Sequence, residues 1–190
     1  YERNKEAADA ENRFVFTAMN TGRACVFTNS GQMHSIKVSD IPFGKFRDKG
    51  TPIDNISNYN SANEYVIHMA SMNDVIMQKL MFVSKYAMMK QVYGTEFDVT
   101  KRTVAATMLS MGDELICVYP VTMERQVVLQ TQGGIFLKFA LDEVPVKKKA
   151  AVGVRGMKLM PKDRLEQVYF LTDGVAQKGE YNGREVDLNH

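Results

Sequence analysis

The feature that most limits the fold is a hairpin signal that returns every fifty residues. It is written most clearly in residues 131–159, TQGGIFLKFALDEVPVKKKAAVGVRGMKL. Gly133-Gly134 supplies a turn, and Ile135-Phe136-Leu137-Lys138-Phe139 supplies an apolar run that alternates. Asp142-Glu143-Val144-Pro145 stops the run, because proline cannot donate to a ladder. Three lysines and the loop Gly153-Val154-Arg155-Gly156 then lead into another short apolar run. The grammar restarts at Asn63-Glu64, Asp113-Glu114 and Asp163-Arg164, with Asn63, Asp113 and Asp163 spaced fifty apart.

Between restarts, Asn/Gly/Ser turns separate runs of five or six residues, the signature of hairpins. Asn20-Thr21-Gly22 and Asn29-Ser30-Gly31 predict strands over 14–19, 23–28 and 33–38. Strands are likewise expected over 63–67, 75–84, 88–92, 104–109, 113–118, 126–131, 165 onward and 168–171, and Asn182-Gly183 turns a last hairpin. The Met-rich stretch 69–81 competes as a helix. Asn73-Asp74 interrupts it and β-branched residues follow, so strand is preferred. The 13 methionines fill core gaps between units.

This pattern predicts an all-β fold of repeated four-stranded antiparallel blades, stacked or radial, about three complete and one partial. The units fall at about 12–60, 61–110, 111–160 and a partial 161–190, after a polar lead-in over 1–11. No unit buries enough surface alone, so neighbours must pack face to face. With 190 residues and 45% hydrophobic composition, such an array can be stable.

Charge is unevenly placed. Residues 12–160 carry 18 basic and 12 acidic side chains, while both ends are net negative. A basic middle points to an anionic partner. The longest acid-free basic stretch lies between Glu143 and Asp163, with Lys147, Lys148, Lys149, Arg155, Lys158 and Lys162. Two further loops carry Lys45, Arg47 and Lys49, and Lys101-Arg102. Loop lysines suit phosphate contacts, which give affinity without reading sequence. The same residues would also serve as a solvated surface. The glycines read as turn and close-approach residues, without the lysine-serine pair of a phosphate loop.

Catalytic constellations are absent from the spacing. The restart acids Glu64, Asp113, Glu114 and Asp163 recur in each unit, which argues for a turn or hydrogen-bonding role. His34 and His68 lie in expected strands as structural residues. Cys25 and Cys117 sit in apolar runs and read as buried, unpaired thiols of a reducing cytosol. No metal or cofactor site is expected. Nor is a membrane span, which needs ~20 apolar residues. The opening at Tyr1 and the close at Asn189-His190 read as the ends of a piece of a longer polypeptide.

In combination these motifs resemble the C-terminal domain of the A-type subunit of bacterial type IIA topoisomerases, that is, of DNA gyrase and of its topoisomerase IV counterpart. The residues that carry the resemblance are Thr-x-x-Gly at Thr28–Gly31 and Thr131–Gly134, and Lys138-Phe139 ahead of Asp142-Glu143-Val144-Pro145. Gly153-Val154-Arg155-Gly156-Met157-Lys158-Leu159 and Gly112-Asp113-Glu114-Leu115-Ile116 complete them. The resemblance implies a β-pinwheel that binds and bends duplex DNA. It also implies a cytoplasmic module without chemistry of its own. The parent would be an ATP-dependent isomerase whose cleaving tyrosine lies in another domain. The implied partners are duplex DNA, the ATPase subunit of the topoisomerase, and the catalytic core carried by the same polypeptide.

Lys90 and Lys138 then enter as remnants of a basic pair that follows the blade turn, a place taken by His34-Ser35 in the first unit. No Gln-Arg-Arg-Gly-Gly-type box of the gyrase branch occurs, so the topoisomerase IV branch fits better. A different reading, a propeller-like protein-interaction scaffold without DNA binding, would require an apolar patch on a blade face.

Overall fold

In the computed structural model, residues 13–189 are described. The expected lead-in over 1–11 lies outside them. Three hairpins organise the chain: β1 Arg23–Thr28 with β2 Gln32–Lys37, β4 Lys79–Ser84 with β5 Met88–Tyr93, and β8 Gln126–Thr131 with β9 Phe136–Ala140. Each first strand also pairs on its other side with a strand from the following restart. These are β3 Val66–Ser71, β7 Leu115–Val121 and β11 Leu165–Leu171. All three pairings carry a bulge at the same place, skipping Ile67, Ile116 and Glu166. A bulge that recurs at the repeat spacing belongs to the repeat itself, and an extra residue there locally bends and twists each third strand.

Two sheets gain a fourth, outer strand from still further along the chain. β6 Thr103–Ala105 pairs with β2, and β10 Val154–Arg155 pairs with β5. The sheets therefore read β3-β1-β2-β6, β10-β5-β4-β7 and β11-β8-β9. A two-stranded hairpin follows, β12 Lys178–Tyr181 with β13 Arg184–Asp187. The fold is all-β and antiparallel, with each sheet assembled from successive fifty-residue units.

The central strands are buried on both faces, which is why ACVF, LMFV and VVL read as apolar runs rather than as alternation. Cys25 and Phe27 face one cluster while Ala24 and Val26 face another. Leu80 and Phe82 meet Phe27 and Cys25, whereas Met81 and Val83 meet Val127 and Leu129. Val128 turns the other way, toward Leu171 and Leu188 of the terminal hairpin. The order is thus cluster, sheet, cluster, sheet. At its centre Phe27, Phe82 and Phe97 pack at 5.2–6.0 Å between ring centroids.

The restart acids have the hydrogen-bonding role expected of them. Asp113 Oδ1 accepts from Tyr86 N–H at 2.9 Å, and Asp163 Oδ1 accepts from Gly133 N–H at 2.9 Å. Glu64 accepts from the hydroxyls of Ser30 and Thr28 at 2.8 and 3.0 Å. Each carboxylate ties the start of a third strand to the hairpin turn of its own sheet. Backbone bonds also link successive sheets, from Leu115 N–H to Asn29 O at 2.8 Å and from Leu165 N–H to Lys85 O at 2.9 Å.

Some strands differ from the sequence reading. Residues 14–19 form no strand. Phe16 packs against Ala24, Val26 and Ile36, so its apolar pattern marks packing without a ladder. Residues 72–75 form one helical turn, α1 Met72–Val75, with Ser71 Oγ accepting from Asp74 N–H at 3.2 Å. The strand expected over 75–84 therefore starts at Lys79.

Candidate nucleic-acid interface

Each second hairpin strand ends in a short 3-10 turn: Val38–Asp40, Gly94–Phe97 and Leu141–Glu143. The connection that follows carries the cations in all three units. They are Lys45, Arg47 and Lys49 in the first, Lys101 and Arg102 in the second, and Lys147, Lys148 and Lys149 in the third. In the second and third units the connection then becomes the outer strand of the preceding sheet. Lys101-Arg102 thus sit on the outer edge of the first sheet. The three lysines, with Arg155 of β10 and Lys158 beyond it, lie along the outer edge of the second.

These edges are neighbours. Ala151 O accepts from Thr107 Oγ1 and from Met108 N–H, both at 3.2 Å, joining the segment after β6 to the segment before β10. All of these cations are exposed except Lys149, which is half-buried. The 147–149 backbone is fixed from below. Gln91 N–H donates to Pro145 O at 3.0 Å, Lys147 N–H donates to Gln91 O at 2.8 Å, and Lys149 N–H donates to Glu96 Oε1 at 3.1 Å. Gly153, at φ +94°, lies against β5, where an added Cβ would stand 2.4 Å from Met89 O. Only glycine lets the edge approach so closely.

Lys90 and Lys138 stand apart from the exposed array. Lys90 is 1% exposed, and its ammonium donates to Lys148 O, Lys149 O and Ala151 O at 2.9, 2.8 and 2.8 Å. Its charge is committed to loop carbonyls, not to solvent. Burial pushes its pKa down to about 8, against the pull of the Glu96 carboxylate. Lys138 is half-buried, and its Nζ donates to Leu188 O at 3.1 Å, tying β9 to the terminal hairpin.

The first loop holds a feature that a list of cations misses. Phe43 and Phe46 are 105% and 91% exposed, interleaved with Lys45, Arg47 and Lys49. Arg47, at φ 76°, sets its guanidinium 5.4 Å from the Phe46 ring centroid. Aromatic faces beside cations suit both phosphate contact and contact with bases. The signal was in the sequence as Phe43-Gly44-Lys45-Phe46-Arg47. Arg23 is the reverse case. It donates to Val99 O and pairs with Asp98 at 2.8 Å, so it ties the connection after β5 to β1.

Several titratable groups are internal. His34 lies between Glu64 and Thr103, at 2.6 and 2.8 Å. Glu64 is opposed by burial, yet hydrogen bonds from Asn60, Ser30 and Thr28 and the nearby His34 hold its carboxyl below the usual range. Burial lowers the His68 pKa, and its ring lies near those of Phe14 and Phe27. Burial pushes the Cys25 and Cys117 thiols up to about 12. Among the described residues no three His, Cys, Asp or Glu side chains gather as a metal site, and no helix is long and apolar enough to cross a membrane.

A family described as the DNA gyrase C-terminal domain, beta-propeller, matches residues 24–70 and 125–171. Each window contains one hairpin and the strand that pairs with its first strand. Residues 79–121 repeat that arrangement between them. The A-type subunit of DNA gyrase from Lawsonia intracellularis is 32% identical over 159 residues, covering 81% of this chain and 19% of the relative. Its counterpart from Helicobacter pylori is 29% identical over 167 residues, covering 86% and 20%. The chain thus spans about a fifth of the length of these curated relatives. Among solved structures, the C-terminal domain of DNA topoisomerase IV superposes with a TM-score of 0.78 at 21% identity, covering 92% of this chain and 57% of the other. The E. coli ParC C-terminal domain gives 0.72 at 18%, covering 90% and 70%.

Proposed function

We infer the role of this chain from one premise: it belongs to the DNA gyrase C-terminal β-propeller family. It grips duplex DNA along the outer edges of its stacked sheets and presents it to a catalytic core elsewhere in the parent polypeptide. That parent is a cytoplasmic type IIA topoisomerase and works with an ATPase subunit. The chain itself contributes binding and bending, with no bond made or broken.

One observation carries this reading. The same connection, in three successive units, is basic, and two of the three land on adjacent sheet edges joined at Ala151. In this reading the duplex follows both edges and curves between them. Bending 20–30 bp costs ~1–6 kcal/mol, which phosphate contacts along the rim can offset. Lys101, Arg102, Lys147, Lys148, Lys149, Arg155 and Lys158 are assigned to phosphates. Lys45, Arg47 and Lys49 extend the track from the first unit. The topoisomerase IV branch is preferred over the gyrase branch because the sequence lacks a Gln-Arg-Arg-Gly-Gly-type run.

Binding to linear and negatively supercoiled duplexes of several sequences, measured by gel shift across a salt series, tests the reading. The expected result is affinity that ignores sequence and falls steeply with salt. Affinity independent of salt, or no binding at low salt, would refute it.

A further inference from the structure

The last residues of the three first strands are Thr28, Ser84 and Thr131, and six places further on stand His34, Lys90 and Leu137. The registers agree, with Val26 opposite His34, Phe82 opposite Lys90 and Leu129 opposite Leu137. In the two sheets that carry an outer strand, this position holds a buried polar side chain that reaches the incoming segment. His34 Nδ1 lies 2.8 Å from Thr103 Oγ1 of β6, directly after Lys101-Arg102. Lys90 Nζ binds the three carbonyls of the loop that carries Lys147–Lys149. The third sheet has no outer strand among the described residues, and there the position is Leu137, which is exposed.

We propose that His34 and Lys90 are positioning residues that latch the neighbouring unit's basic segment onto the sheet edge, so that the cations of the rim form a fixed array. The physical reason is local. A loop bearing three adjacent lysines repels itself, and its carbonyls need donors once they face the protein. A buried ammonium with three carbonyl partners supplies those donors in one group, and charged donors make the stronger hydrogen bonds. The latch holds the backbone while the lysine side chains stay free for a ligand. That the array serves DNA rests on the function proposed above; the latch itself does not.

The latch of the second sheet is pH-sensitive. Lys90 faces Glu96 from the 3-10 turn after β5, the Phe82 ring at 5.6 Å from β4, and the backbone of Lys148, Lys149 and Ala151. As pH rises through about 8 the ammonium loses a proton, and a neutral amine cannot serve all three carbonyls as donor. The sign for the whole fold is the opposite. The folded-state pKa lies below the unfolded value of ~10.4, so the unfolded chain holds this proton over that window. Stability due to this group therefore rises with pH there, while the loop loosens.

Hydrogen exchange without DNA decides the matter, with amide rates corrected for intrinsic pH dependence. In Lys90→Met, exchange of the Lys147, Lys149 and Ala151 amides should rise about tenfold or more, the loss of one charged hydrogen bond. The β4 amides should keep their protection. Equal acceleration everywhere, or an unchanged loop, would overturn the latch. In the wild-type protein, which needs no variant to fold, loop protection should fall between pH 7 and 9 while β4 does not follow. A flat profile also overturns it. Duplex binding is read separately. Lys90→Met should weaken it with little change in salt slope, because every rim cation remains. If wild-type protein binds no duplex while the loop loosens as described, the latch stands and the DNA reading falls.

Discussion

On the proposed interface, neutralising one loop changes the salt dependence of duplex binding by a set amount. Lys147 and Lys148 are exposed and Lys149 is half-buried, while the loop is held through backbone groups by Lys90, Gln91 and Glu96. Replacing all three by Gln should therefore leave thermal stability nearly unchanged. With all seven rim cations engaged, log K should fall against log salt with a slope of about −6. Removing three takes away about 2.7 of that slope. Between about 50 and 200 mM salt, the variant should thus lose roughly 40-fold less affinity than wild type, having started weaker at low salt. Fluorescence anisotropy on a duplex of about 20–30 bp reads both quantities in one titration. A variant with wild-type affinity and slope would remove the loop from the interface. A drop in affinity with a matching loss of stability would show that the fold, not the contact, had been changed.

Other expectations follow from the same geometry. Asp163→Ala removes acceptors for Gly133 N–H and Arg164 N–H and should cost about 1–2 kcal/mol in denaturant melts. Thr131, then Gly133 and Arg164, hold the Asp163 carboxyl below its usual range. Its contribution is thus present above about pH 4 and lost as pH falls through the folded-state value. Phe82→Ala empties the ring contact with Phe27 and Phe97 and should cost about 3–5 kcal/mol, read as an earlier urea midpoint. Cys25 and Cys117, with thiols raised to about 12, should resist a thiol reagent in the folded protein and react on unfolding; fast labelling under native conditions would contradict the packing around β1 and β7.

The hairpins were legible because their turns need particular residues. Asn182 and Gly183, at φ 50° and 74°, form the turn that the dipeptide announces. The fifty-residue period was legible because each restart carboxylate meets its hairpin turn at the same place, Asp113 and Asp163 through turn amides and Glu64 through the Ser30 and Thr28 hydroxyls. The exchange of outer strands was not. Three residues of β6 and two of β10 are too short for any pattern, and their place is set by a distant sheet edge. Phe16 shows the limit of alternation, since an apolar residue can join a core with no ladder to support it. Lys90 is the sharpest case. A lysine between Met89 and Gln91 reads as a surface cation, and only the carbonyls brought to it from about sixty residues away bury it.

In the proposed complex, cations on two adjacent sheet edges hold one duplex, and lysine acetylation footprinting with and without that duplex tests this arrangement. Lys101, Lys147, Lys148, Lys149 and Lys158 should be protected, with Lys85 and Lys178, paired with Glu114 and Glu185, unaffected. Protection centred on Lys85 or Lys178, or spread evenly over every lysine, would contradict it.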